Sequence, residues 1–233
     1  MYANDIKVYA PYNSANYSEI HEALRSSILQ LINWSQHFNI PVNLSKTTVF
    51  HLGRGDAMEY KIDDVTLRAC DEIKDLGIHF KSDLSFDTHI RETVRKSLAT
   101  LFTIFRNVHS NNAGILVKLF KAYVRPTLEY GSQVWSPSTE KRQKAVEKVQ
   151  QIFTRMLHYR CTTPSQDDCS IPSYALRMRA FKLDSLLYRH VVNDIVFCFK
   201  ALKMEYKLKA SKYWIFRPCC GRAGGFVLLP TSS

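Results

Sequence analysis

Apolar residues recur at two different periods along this 233-residue chain, and the change of period near Asp87 divides it. From Ser18, read as a helix cap, Ile20, Leu24, Ile28, Leu31 and Ile32 fall on one helical face. Pro41 disfavours helical geometry at Ile40, so this helix should end near Phe38. Short strands are predicted next, at Thr47–Leu52, Glu59–Ile62, Val65–Ala69 and Leu76–Phe80, with turn residues between the first three. Beyond Asp87 the period is helical. Ile90, Val94, Leu98, Leu101 and Phe105 make one stripe, and Ile115, Leu116, Leu119, Phe120 and Tyr123 a second. Pro126 is expected to interrupt. A third helix carries Ala145, Val149, Ile152, Phe153 and Met156, and a fourth is predicted from about Tyr174 to Leu202. The residues from 206 onward show no usable period and read as an irregular tail.

The pattern predicts an α+β fold with three parts: residues 1–87 with short antiparallel strands and one helix, a helical part 88–205, and the tail 206–233. A hydrophobic content of 45% is that of a globular chain. No apolar run approaches the ~18 residues of a membrane span, so no membrane partner is expected and an intracellular location is. The six cysteines form no C-x-x-C pair and the eight histidines are dispersed, which argues against a zinc site.

Charge sharpens the division. Residues 1–90 carry a net charge of −4 and residues 91–233 a net of +15. A basic helical half is suited to grip a polyanion, although a solvated helix surface would have the same composition. Candidate contacts are Arg91, Arg95, Lys96, Lys118, Lys121 and Arg125, with Lys141, Arg142, Lys144 and Lys148 further on. Cationic side chains suit this work because each neutralised phosphate releases a counterion.

Several short motifs occur in an order that resembles one family. Tyr2-Ala3-Asn4-Asp5 followed by Ile6–Ala10 reads as a hairpin with an aromatic, an Ala and an acidic pair whose first member is Asn. Then come Trp34, Asn43-Leu44-Ser45-Lys46-Thr47, Lys74-Asp75-Leu76-Gly77-Ile78 and Leu84-Ser85-Phe86-Asp87-Thr88-His89-Ile90. Tyr123-Val124-Arg125-Pro126-Thr127-Leu128-Glu129-Tyr130-Gly131 closes on Trp135, and Glu147-Lys148-Val149-Gln150 and Ile171-Pro172-Ser173 follow. Over about residues 1–205 this order resembles the palm end and thumb of non-LTR (LINE-type, jockey-like) retrotransposon reverse transcriptases.

The resemblance implies a partial palm followed by a helical thumb and connector, with an RNA and DNA template-primer as partner. It places Asn4 and Asp5 at the catalytic hairpin, Asp5 being a vestigial metal position, and Lys46 near the incoming triphosphate. Lys74, Leu76 and Gly77 would form the primer grip. The parent family works with Mg²⁺, a hard cation that takes oxygen ligands from carboxylates. Asn4 offers a neutral amide where a carboxylate belongs, and no fingers or earlier catalytic Asp is found ahead of it. The expectation is therefore an RNA-directed DNA polymerase fragment that is inactive by itself, holds no metal productively and retains nucleic-acid affinity. The alternatives are a non-catalytic interaction module on the basic helices, or a subunit completed by another chain.

Overall fold

The computed structural model describes residues 6–53, 59–62, 65–162 and 171–203, and the backbone of 214–219 and 225–230. The fold is α+β. It separates into two compact units that meet between Phe86 and Asp87.

The first unit is built on helix α1 (Tyr17–His37). The Asn13 side chain accepts hydrogen bonds from the backbone N–H groups of Ala15 and Asn16, so the chain winds into the helix from an Asn16 cap rather than from Ser18. At the far end Asn39 turns left-handed at φ 54°, ahead of Pro41. Leu24, Ile28 and Ile32 of the expected stripe pack on a buried cluster of Tyr60, Ile62 and Leu67.

Six short strands follow α1: β1 (Thr48–Phe50), β2 (Lys61–Ile62), β3 (Val65–Thr66), β4 (Arg68–Cys70), β5 (Glu72–Asp75) and β6 (Ile78–Lys81). They pair as β1 with β4 in parallel, and as the antiparallel pairs β2–β3 and β5–β6. Two expectations need correction. The strand predicted over Leu76–Phe80 begins only at Ile78, as β6, because Leu76 and Gly77 both take positive φ (46° and 86°) and form the turn of a hairpin with β5. Consecutive positive φ values are what a two-residue hairpin turn needs, and Gly77 meets that need without strain. The segment Ile6–Ala10, predicted as a strand, is irregular chain, with Ile6, Val8 and Tyr9 exposed. It has no ladder partner among the described strands, and alternation alone supplies no backbone hydrogen bonds.

In the second unit, α2 (Asp87–Asn107) precedes a long helical run. α3 (Ala113–Leu119), capped by Asn112, widens into a π-helical turn at Phe120–Val124 and continues as α4 (Arg125–Glu129). Pro126 thus does not break the run. It is the second residue of α4, directly after the π turn that accommodates it. Then come α5 (Ser132–Trp135), α6 (Glu140–Cys161), α7 (Tyr174–Phe181) and α8 (Leu186–Leu202). The single helix expected from Tyr174 to Leu202 is two. Lys182 takes φ 51° and ends α7, and the Ser185 hydroxyl accepts from the Tyr188 N–H to start α8. The tail is also corrected: β7 (Trp214–Cys219) and β8 (Gly225–Pro230) form an antiparallel ladder. Aromatic and β-branched residues such as Trp214, Ile215, Phe216, Phe226 and Val227 favour extended chain despite lacking clean alternation.

Two arginines fix the main helix pair of this unit. Arg142, near the start of α6, makes a bidentate pair with Asp87 at the start of α2, at 2.5 and 2.8 Å. Arg160, near the end of α6, donates to the carbonyls of Val108 and Phe105 at 2.6 and 2.7 Å. The two lie 18 positions apart, about five turns at ~3.6 residues per turn, so both emerge on the same side of α6. The helices α2 and α6 therefore run parallel, pinned at both ends. In the core, Phe120 stacks on Phe153 at 4.1 Å between ring centres, and Phe105 meets Phe153 edge-on at 6.1 Å.

Candidate nucleic-acid interface

Asn4 and Asp5 lie outside the described residues. Among the described residues no group of His, Cys, Asp or Glu is arranged to hold a metal ion. Lys46 ends a 3-10 turn, Leu44–Lys46, with its side chain exposed. The Asn43 carboxamide oxygen caps that turn, accepting from the Lys46 N–H and the Ser45 hydroxyl, while the Thr47 hydroxyl donates to the Asn43 carbonyl. The Asn-x-x-Lys-Thr spacing is thus a capping arrangement that presents Lys46 to solvent. Lys74 is exposed on β5, and Leu76 and Gly77 form the exposed tip of the hairpin beside it. Lys7 forms an ion pair with Asp75, tying the N-terminal segment to this hairpin.

The helical motifs occupy junctions. Trp135 is buried between His89 and His190, edge-to-face with both at 5.0 and 5.4 Å, and its indole N–H donates to the Tyr130 carbonyl. His190 in turn meets the Leu128 carbonyl through Nε2 at 2.9 Å. The Glu129 carboxylate takes a bidentate pair from Arg189 and lies 3.6 Å from Arg125. Burial, and then the neighbouring Arg189 charge, lower the Arg125 pKa. Glu147 accepts from the Tyr174 hydroxyl and the Leu186 N–H, and Gln150 donates to the Tyr174 hydroxyl and the Asp184 carbonyl. Arg177 is buried and donates to Pro172 and Thr154. These polar residues lock α6, α7 and α8 together, since a buried polar group left without a partner is costly.

The basic residues sort accordingly. Arg125, Arg142, Arg160, Arg177 and Arg189 are engaged by the protein itself. Arg95 pairs with Glu92 on the same helix at 2.8 Å, which raises its pKa, and Lys121 is half-buried in the π turn. Arg91, Lys96 and Lys118 are exposed. On α6, Lys141, Lys144, Lys148 and Arg155 are exposed at spacings of three, four and seven, which align them on the side opposite buried Val146, Val149, Phe153 and Leu157. Gln151 and Tyr159 complete this outward stripe, Tyr159 being 63% exposed. Of the acids of α6, Glu147 faces α7 and α8, while Glu140 pairs with Lys144 of the stripe at 2.6 Å. Lys141, Lys148 and Arg155 have no carboxylate partner among the described residues. Arg155 and Tyr159 were absent from the sequence-based candidates. Their signal was legible as the exact complement of the apolar stripe, shifted by half a turn.

No family model matches the chain, and no solved structure matches it. The chain is similar to the uncharacterized protein B0403.1 of Caenorhabditis elegans, 27% identical over 99 residues, which are 42% of this chain. The match spans 50% of that relative's length. Among the described residues no helix is long and apolar enough to cross a membrane.

Proposed function

We propose that this chain is a palm-end and thumb fragment of a non-LTR reverse transcriptase whose own activity is salt-dependent, sequence-indifferent nucleic-acid binding. The observation that carries the binding is the basic outward stripe of α6: Lys141, Lys148 and Arg155, with Lys144 paired to Glu140 and Tyr159 beside them. From Lys141 to Arg155 the stripe is about 21 Å long at ~1.5 Å per residue, enough to follow several successive phosphates. Tyr159 offers a face on which an unpaired base can stack. The order of the motifs is what supports the parentage, and Trp135, Glu129 and Glu147 within them join the helices. Asn4 in the acidic position supports loss of polymerisation. Primer extension on an RNA template with Mg²⁺ or Mn²⁺ stays at background in this reading.

The test is a titration of the full chain against labelled duplex DNA and single-stranded RNA across a salt series. With about four phosphates neutralised, log K falls against log salt with a slope near −3.6 on duplex DNA. Replacing two cations, Lys148→Gln with Arg155→Gln, lowers the slope by about 1.8 and leaves the helical circular dichroism unchanged. An unchanged slope in that variant would overturn the assignment of the stripe.

A further inference from the structure

One long face of α8 is exposed and apolar. Leu187, Tyr188, Val191, Val192, Ile195, Val196 and Phe199 are between 36% and 63% exposed, and they follow the helix from its first turn to its last. No charged residue interrupts their spacing. Contiguous apolar surface of this kind on a soluble protein marks an interaction site.

We propose that this face pairs with the same face of a second copy, α8 against α8 in antiparallel orientation. A two-fold axis brings residue i of one copy to residue j of the other with a constant sum of i and j. Placed beside Asn193, the axis sets Leu187 against Phe199, Tyr188 against Phe199, Val191 against Ile195 and Val192 against Ile195. In each of these pairs the two residue numbers add to 386 or 387. The bulky residues then meet at the two ends and the β-branched ones at the centre, a self-complementary shape.

The charges flanking the stripe fall in the same register. Asp184 is exposed just before the Ser185 cap, and Lys203 is exposed just past the last turn, its ammonium over the Phe199 ring at 4.7 Å. Antiparallel pairing sets Asp184 of each copy against Lys203 of the other, whereas parallel pairing would set like against like. It also opposes the two helix dipoles, which favours it further. One helix face per copy is small beside the ~800 Å² per partner of a standard interface, so the association is weak, with a dissociation constant in the micromolar range.

The experiment is sedimentation velocity of the full chain over a concentration series, with nucleic acid removed. We expect a reversible monomer–dimer equilibrium, and loss of the dimer in Ile195→Asp with an unchanged helical signal. The register is read by cross-linking in a background with the native cysteines replaced by serine. Val192→Cys mixed with Ile195→Cys forms a disulfide between the two variants, faster than either variant does with itself. Retention of the dimer in Ile195→Asp, a chain monomeric at all concentrations, or preferential self-linking of each variant would each overturn the proposal. Swapping both charges, Asp184→Lys with Lys203→Asp, keeps the dimer, and either change alone weakens it. An effect of the double variant as large as the two single ones combined would also count against this register.

Discussion

The two units teach opposite lessons about how much of a fold a short stretch of chain can hold. In the first, the buried apolar side chains are Tyr60, Ile62, Leu67 and Ile78, and the strands are two to four residues long in separate two-stranded ladders. A two-stranded ladder is marginal alone, and it is α1 laid over Tyr60, Ile62 and Leu67 that holds this unit together. In the second, fully buried Trp135, Phe120, Phe153, Leu101, Leu116, Leu128, Leu157 and Leu186 form a core served by several helices. Helices satisfy their backbone within a few residues, so this core depends less on distant segments. The residues that resemble a catalytic apparatus belong to the unit with the thinner core. The unit that could bind by charge alone is the better built one.

The strongest way to break that contrast is Trp135→Ala. It removes the ring held between His89 and His190 and should destabilise the helical unit by about 3–5 kcal/mol. The matched change in the first unit, Ile62→Ala, should leave the helical transition where it was. Denaturant unfolding followed at 222 nm reads both. A common shift in the two variants would show that the units unfold as one.

A second effect is confined to high pH. Burial, reinforced by the Glu147 hydrogen bond, raises the Tyr174 pKa above its ordinary value of 10.0. In the unfolded chain the phenol ionises near its ordinary value, so the folded state, which resists ionisation, is favoured less as pH rises. The contribution is therefore whole below about pH 10 and is lost progressively above it. Stability should fall more steeply above that pH in the native chain than in Tyr174→Phe, which has no phenol to ionise. Equal alkaline slopes would remove Tyr174 from the joint between α6 and α7.

The smallest expected change tests the sorting of the arginines. Arg95–Glu92 is an exposed pair within one helix, so Glu92→Ala should lower stability only slightly. It frees Arg95, and nucleic-acid affinity at low salt should rise slightly. Arg142→Ala, which unpins one end of α2 from α6, should cost more than Glu92→Ala. The reverse order would mean that the bidentate pin contributes no more than a surface pair.

Where the hydrophobic period was long, it was sufficient. The stripes of α1, α2 and α6 were readable because a helix face of five or more apolar positions has one phase only. The change of period at Asp87 was readable for the same reason. The basic excess after residue 90 was also a property of sequence alone. What the sequence left open were choices settled by contacts between distant residues. Whether Ile6–Ala10 becomes a strand depends on a partner, and alternation does not provide one. Pro126 was tolerated because a π turn preceded it, and the helix after Tyr174 broke because Lys182 could turn left-handed beside the Ser185 cap. Most of all, composition counted Arg125, Arg142 and Arg155 as equal cations. Tertiary structure bound the first to Glu129 and the second to Asp87, and left Arg155 on the outward face of α6. A charge is written in the sequence, but whether it is already neutralised depends on which carboxylate the fold brings within reach.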